Sequence, residues 1–244
     1  MSTGLPAAWP ALSIATANAK LAEPGTPLAV ADGEVDGVAM KVYPEAPATV
    51  RIIVQASMMH ADRPFLVYED ERVSFATHAN VVAHFATALT GKFGVEKGER
   101  VAVIMRNYPQ WSVAFFGAVC AGAIATPMNS WWTGEELEFG LKDSGAKVAV
   151  IDQQIFERIR EHLPNLPDLK HIIIARDQEE ERADPRLTPM EDIIGEASTW
   201  ADLPQSGLPD IDLTPDDDAT IMYTSGTTGR PKGALASHRA IVAN

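Results

Sequence analysis

Between residues 100 and 175 the chain alternates short, unbroken apolar runs with stretches whose apolar residues recur every three or four positions. The runs "RVAVIM" (100–105), "AIAT" (123–126), "KVAVID" (147–152) and "HIIIA" (171–175) lack polar alternation, as expected of parallel strands buried on both faces. Between them, 109–121 reads as a helix. Thr133 and Glu136 have the spacing of a capping box, and Gly145 suits the end of that helix. Ile155, Phe156 and Ile159 mark another helix, and "HIIIA" is read as the last strand of the series. Strand–helix alternation of this kind predicts an α/β fold, a mainly parallel sheet flanked by helices and joined by right-handed crossovers.

Outside that segment the pattern weakens. Residues 1–27 are rich in Ala, Pro, Gly and Thr without periodicity and read as an N-terminal arm. "LAVADGEVDGVAMKVY" (28–43) alternates around two Asp/Gly turn candidates and predicts a small edge hairpin. Thr49 precedes a helical pattern with Val50, Ile53, Val54 and Met58 on one side. "FLVYEDERVSF" (65–75) predicts two short strands, and a helix with Val81, Phe85 and Leu89 follows, capped by Gly91. "RDQEEERADPRLTP" (176–189) reads as a charged surface loop, and "ATIMY" (219–223) as a strand. The expected organisation is an arm and hairpin over 1–47, an α/β subdomain over 48–195 and a Pro/Asp-rich connection over 196–218. Residues 219–244 then hold a strand, a glycine-rich loop and the start of a truncated helix near Ser237.

Composition narrows the function classes. A net charge of -13 and a pI near 4.8 argue against nucleic acid or an anionic membrane surface as partner. No transmembrane segment is expected, because the longest apolar stretch, 111–127, is too short and glycine-rich. The N-terminus has no basic residue before Lys20 and makes a poor secretory signal, so a cytoplasmic location is expected. The single cysteine, Cys120, lies in an apolar run and reads as a buried thiol. Asp216, Asp217 and Asp218 read as a solvated turn rather than metal ligands, and the histidines lack ligand spacing. Trp131 and Trp132 read as packing residues, and the two glutamates after Thr133 as helix N-terminal charges. No catalytic residue and no metal ligand is assigned.

The densest chemistry lies in "MYTSGTTGRPKG" (222–233). Gly226, Gly229 and Gly233 let a backbone approach a ligand closely, and successive N–H groups in such a loop form an anion-binding concavity. Thr224, Ser225, Thr227 and Thr228 add hydroxyl donors, and Lys232 adds a mobile cation suited to phosphate. Pro231 restricts the loop before any ligand arrives. These features favour a nucleotide polyphosphate over a plain hairpin turn, although no Walker A pattern is present.

"YTSGTTGRPKG" (223–233) resembles the signature phosphate-binding loop of the adenylate-forming (AMP-binding) superfamily, which includes acyl-CoA synthetases, nonribosomal peptide adenylation domains and firefly luciferase. It matches throughout, with Arg230 at the variable position. "GVEKGERVAVIMRNYPQW", "GAVCAGAIATPMNS" and "ELEFGLKDSGAKVAVID" resemble the first α/β subdomain of acyl-CoA synthetases, so the likeness runs from about residue 48 onward. The resemblance implies a reaction of ATP with a carboxylic acid, fatty or related, giving an acyl-adenylate that passes to coenzyme A, with Mg2+ on the phosphates. It places Thr224, Ser225, Gly226, Thr227, Thr228, Gly229, Lys232 and Gly233 around those phosphates, and gives His238 a supporting role at the following helix. The superfamily's other functional segments lie further downstream. The chain is therefore expected to be the first part of the large N-terminal domain of a longer enzyme, inactive alone, whose C-terminal remainder is its first partner. Two alternatives stay open: an adenylating enzyme for amino or aryl acids with a carrier-protein acceptor, and a non-catalytic nucleotide-binding module.

Overall fold

A computed structural model of the chain describes residues 12–26, 28–35, 37–177, 184–224 and 230–243. An N-terminal helix, α1 (Ile14–Leu21), is capped by the Ser13 hydroxyl and precedes the hairpin β1 (Ala31–Val35) and β2 (Val38–Val42). Helix α2 (Val50–Ser57) buries Val50 and Val54, but Ile53 and Met58 stay exposed, so its apolar face is narrower than the spacing predicts. A second hairpin, β3 (Pro64–Tyr68) and β4 (Glu71–Ser74), runs directly into α3 (Phe75–Gly91), whose N-cap is Ser74. That helix ends at Gly91 as expected, but the left-handed residue is Gly94 (φ 62°), where Phe93 and Val95 turn their N–H groups back to Ala88 and Leu89.

The unbroken apolar runs then form the sheet. They give β5 (Arg100–Ile104), α4 (Pro109–Cys120), β6 (Ile124–Pro127), α5 (Gly134–Ser144), β7 (Val148–Asp152), α6 (Gln153–Ile159) and β8 (His171–Ala175). The capping box at α5 is present in both directions, and Gly145 closes that helix with φ 64°. "HIIIA" is not the last parallel strand. Leu187–Pro189, inside the expected charged loop, adds β9 beside β8 because Arg186 O accepts from Ile172 N and Met190 N donates to Ile174 O. After a short helix, α7 (Glu191–Ile194), come β10 (Asp218–Thr224), β11 (Lys232–Ser237) and α8 (His238–Val242). The sheet has seven strands in the order β11-β10-β6-β5-β7-β8-β9, all neighbours parallel except β10 and β11. Chain and fold class agree: α/β, mainly parallel, with helices on both faces.

Strand periodicity sorts the core. Val101, Val103, Val148, Val150 and Ile173 face α3 and α4, together with Phe85, Leu89 and Cys120. Ala102, Ile104, Ala149, Ile151, Ile172 and Ile174 face α5 and α6. Cys120 is fully buried and burial pushes its thiol up to about 12, as befits a packing residue. The connection after α7 is a packed strap: Trp200 is fully buried with its indole N–H donating to Gly195 O, and Asn80 of α3 donates to the carbonyls of Leu203 and Pro204. Among the described residues no helix is long and apolar enough to cross a membrane.

One buried base gives this packing a pH dependence. His78 of α3 lies 2.9 Å from Ser112 Oγ of α4, beside the rings of Phe65 and Phe116, and burial lowers its imidazole to about 4. Its unfolded value is about 6.5. A base with a depressed folded value favours folding above about pH 6.5, and this contribution is lost as pH falls toward 4. The loss reaches about 3 kcal/mol at the lower limit, from about 1.4 kcal/mol per unit. His78→Gln should flatten the fall in urea midpoint between pH 7 and 4.5, and an unchanged slope would contradict this assignment.

Candidate phosphate-binding loop and sheet-edge crevice

In a parallel sheet the carboxyl ends of the strands share one edge, and ligands bind where neighbouring connections leave in opposite directions. Here β5 leads through α4 to β6, whereas β7 leads through α6 to β8, so the divergence falls between β5 and β7. Asp152, the last residue of β7, joins the two strand ends. Its Oδ1 accepts from Ile155 N (3.0 Å), capping α6, and its Oδ2 accepts from Arg106 N (2.9 Å). Beside them, Tyr68, Arg106, Tyr108, Asn129, Ser130 and Trp131 line a cavity of about 560 Å³. Trp131 is not a packing residue: it is 75% exposed, with the Arg106 guanidinium 5.8 Å from the centre of its ring. Trp132 does pack, against the α5–α6 core and edge-on to Tyr223 at 5.6 Å. Neither Arg106 nor Asp152 stands out in the sequence. The signal that finds them is position, one at the exit of each central strand.

The second feature of this edge is the β10–β11 turn. In the antiparallel register Thr224 pairs with Lys232 and Tyr223 with Gly233, so the two strands bring Thr224 and Lys232 together at the neck of the loop. Both are exposed, and Thr224 Oγ1 lies 3.5 Å from Lys232 O. Gly233 has a steric reason to lack a side chain, because a Cβ there would lie 2.7 Å from Ile221 Cγ2. Of the candidate residues, Ser225, Gly226, Thr227, Thr228 and Gly229 lie outside the described residues.

The supporting residues resolve cleanly. His238 is buried at the start of α8, where its Nδ1 accepts from Val50 N (3.3 Å); burial lowers its pKa, which keeps the ring neutral for this role. Asp216 pairs with Arg239 (2.7 Å) and Asp217 with Lys97 (2.7 Å), each carboxyl held below the usual range. Asp217 also accepts from Thr214 N. Among the described residues no group of three or more His, Cys, Asp or Glu side chains is arranged around a metal position.

Residues 54–244 match the family described as AMP-binding enzyme. The chain is 31% identical over 215 residues to a long-chain-fatty-acid–CoA ligase of Escherichia coli O6:H1, covering 80% of this chain and 37% of that protein. It is 32% identical over 164 residues to 4-coumarate–CoA ligase 2 of Oryza sativa subsp. japonica, covering 64% of this chain and 28% of that one. Among solved structures, the anthranilate CoA ligase AuaEII in complex with anthranoyl-AMP superposes with a TM-score of 0.67 at 28% identity, over 80% of this chain and 36% of that one. The N-terminal domain of FACL13 from Mycobacterium tuberculosis gives 0.59 at 26% identity, over 79% and 45%. The chain thus spans 28–37% of the length of these two curated relatives. Sequence, sheet order and relatives agree: the chain belongs to the AMP-binding enzyme family, the adenylate-forming ligases.

Proposed function

We propose that this chain is the N-terminal part of an ATP-dependent acyl-CoA ligase that activates a carboxylic acid, a fatty acid in the first instance. The observation that carries this reading is the register of β10 and β11, which sets a hydroxyl and an ammonium residue side by side at the neck of a glycine-rich loop. In the first step a carboxylate oxygen attacks the α-phosphorus of ATP, the bond to the bridging oxygen breaks, and pyrophosphate leaves. Negative charge grows on that leaving group, and donors fixed in advance stabilise it most effectively. Lys232 acts as a charge clamp; Thr224, Ser225, Thr227 and Thr228 supply hydroxyl donors; Gly226, Gly229 and Gly233 allow backbone approach. The donor set is cationic and hydroxylic, which suits phosphate oxygens rather than a metal. Mg2+ would accompany the nucleotide's phosphates and neutralise part of their charge, and no described residue is assigned to it. In the second step the thiol sulfur of coenzyme A takes the acyl group and AMP leaves.

The fatty-acid assignment follows the relatives named for long-chain acids, whereas the 4-coumarate and anthranilate ligases favour an aryl acid. The test is product formation by the full-length protein with ATP, coenzyme A and a panel of fatty and aryl acids, read by mass spectrometry. Long-chain acyl-CoA is the expected product. Turnover confined to aryl acids, or to a carrier-protein thiol, would overturn the substrate or the acceptor. The 244 residues alone are expected to be inactive.

A further inference from the structure

Both stems of the β10–β11 turn lean on the same helix. On the incoming strand, Tyr223 donates its phenolic hydrogen to Asp143 Oδ2 of α5 (2.8 Å), with Gly140 O a further 3.3 Å contact. On the outgoing side, the Arg230 guanidinium lies 5.5 Å from the centre of the Phe139 ring, also on α5. Phe139 and Asp143 are four residues apart and so share one helical face. Between them, Gly140 lets the helix come close: a Cβ there would lie 2.9 Å from Trp132 Cζ3 and 3.0 Å from Met128 Sδ. Trp132 in turn meets Tyr223 edge-on. Burial and the Asp143 carboxylate raise the Tyr223 pKa, so the phenol stays protonated and donates.

We infer that Phe139 and Asp143 are positioning residues for the phosphate-binding loop, holding its two stems through Arg230 and Tyr223. This rests on the function proposed above. Fixing both strand ends on one capped helix sets the direction from which Thr224 and Lys232 meet the nucleotide, so that less of the binding free energy is spent on orienting them. Arg230 contributes here as an anchor, in a position where the superfamily's signature accepts various residues. The helix is well suited to the task, since its capping box and left-handed Gly145 hold both of its ends.

The experiment compares Phe139→Ala, Asp143→Ala and Phe139→Tyr in the full-length protein. ATP–pyrophosphate exchange gives the KM for ATP and for the acid, and tryptic cleavage after Lys232 reports the loop directly. The expected result is a five- to tenfold rise in the KM for ATP in the first two variants, with the KM for the acid unchanged. Cleavage after Lys232 should accelerate by a similar factor, and Phe139→Tyr, which keeps the ring, should restore both. Adding Tyr223→Phe to Asp143→Ala should change little more, because the two residues act chiefly through their shared hydrogen bond. A fall in melting temperature or kcat with both KM values and the cleavage rate unchanged would overturn the inference. Absence of exchange in the unsubstituted protein would instead overturn the functional reading, and the cleavage rate alone would then decide whether α5 anchors the loop.

Discussion

Lys232→Ala in the full-length protein is expected to lower kcat/KM for ATP by about two orders of magnitude, the usual effect of removing one preorganised donor to a developing anion. Lys232 is the described cation directly opposite Thr224 at the loop neck, on an antiparallel strand that fixes its distance from β10. Lys232 is exposed, so its removal should leave the melting temperature within about 1 °C, as for surface substitutions in general. Lys232→Arg keeps the charge but replaces a compact ammonium by a planar fork, and should recover only part of the loss. A kcat/KM within threefold of the parent for Lys232→Ala would contradict the assigned role.

Phe85→Ala is expected to destabilise the chain by about 4 kcal/mol, within the range for a buried phenylalanine. Phe85 is fully buried in α3 and packs against α4 where Gly117 has no side chain; a Cβ there would lie 2.6 Å from the Phe85 ring. The two helices are held against one face of the sheet by Val101, Val103, Val113 and Val150, so the cavity has little room to collapse. Urea denaturation should show a lower midpoint with an unchanged m-value. A cost below about 1.5 kcal/mol would mean that α3 and α4 close the gap, against the rigid packing described here.

How much of this was legible in the sequence depends on how strongly each segment is buried. The strands at 100–104, 148–152 and 171–175 are apolar on both faces and declare themselves, as does the capping box at Thr133. β9 is three residues long, inside charged text, and exists because β8 offers it an open edge. β11, "KGALAS", has small residues and a glycine opposite Tyr223; its strand state comes from pairing with β10, which no local pattern encodes. Trp131 departs from the expected packing role for the converse reason: its large apolar ring stands exposed near a strand exit, beside Arg106. The glycine-rich stretch at 222–233 stands out in the sequence as a motif. The contact of Arg106 with Asp152 beside the crevice is not legible, because strands adjacent in the sheet are 46 residues apart in the chain there. The hold of α5 on both loop stems was hidden likewise, since Tyr223 and Asp143 are 80 residues apart.

The central claim is that this chain carries the phosphate-binding loop of an acid-activating ligase. Acid-dependent exchange of labelled pyrophosphate into ATP by the full-length protein tests it most directly, because exchange requires the adenylating step alone. Exchange should appear only when a carboxylic acid is added and should collapse in Lys232→Ala. Exchange independent of any acid, or none with fatty, aryl or amino acids, would contradict it.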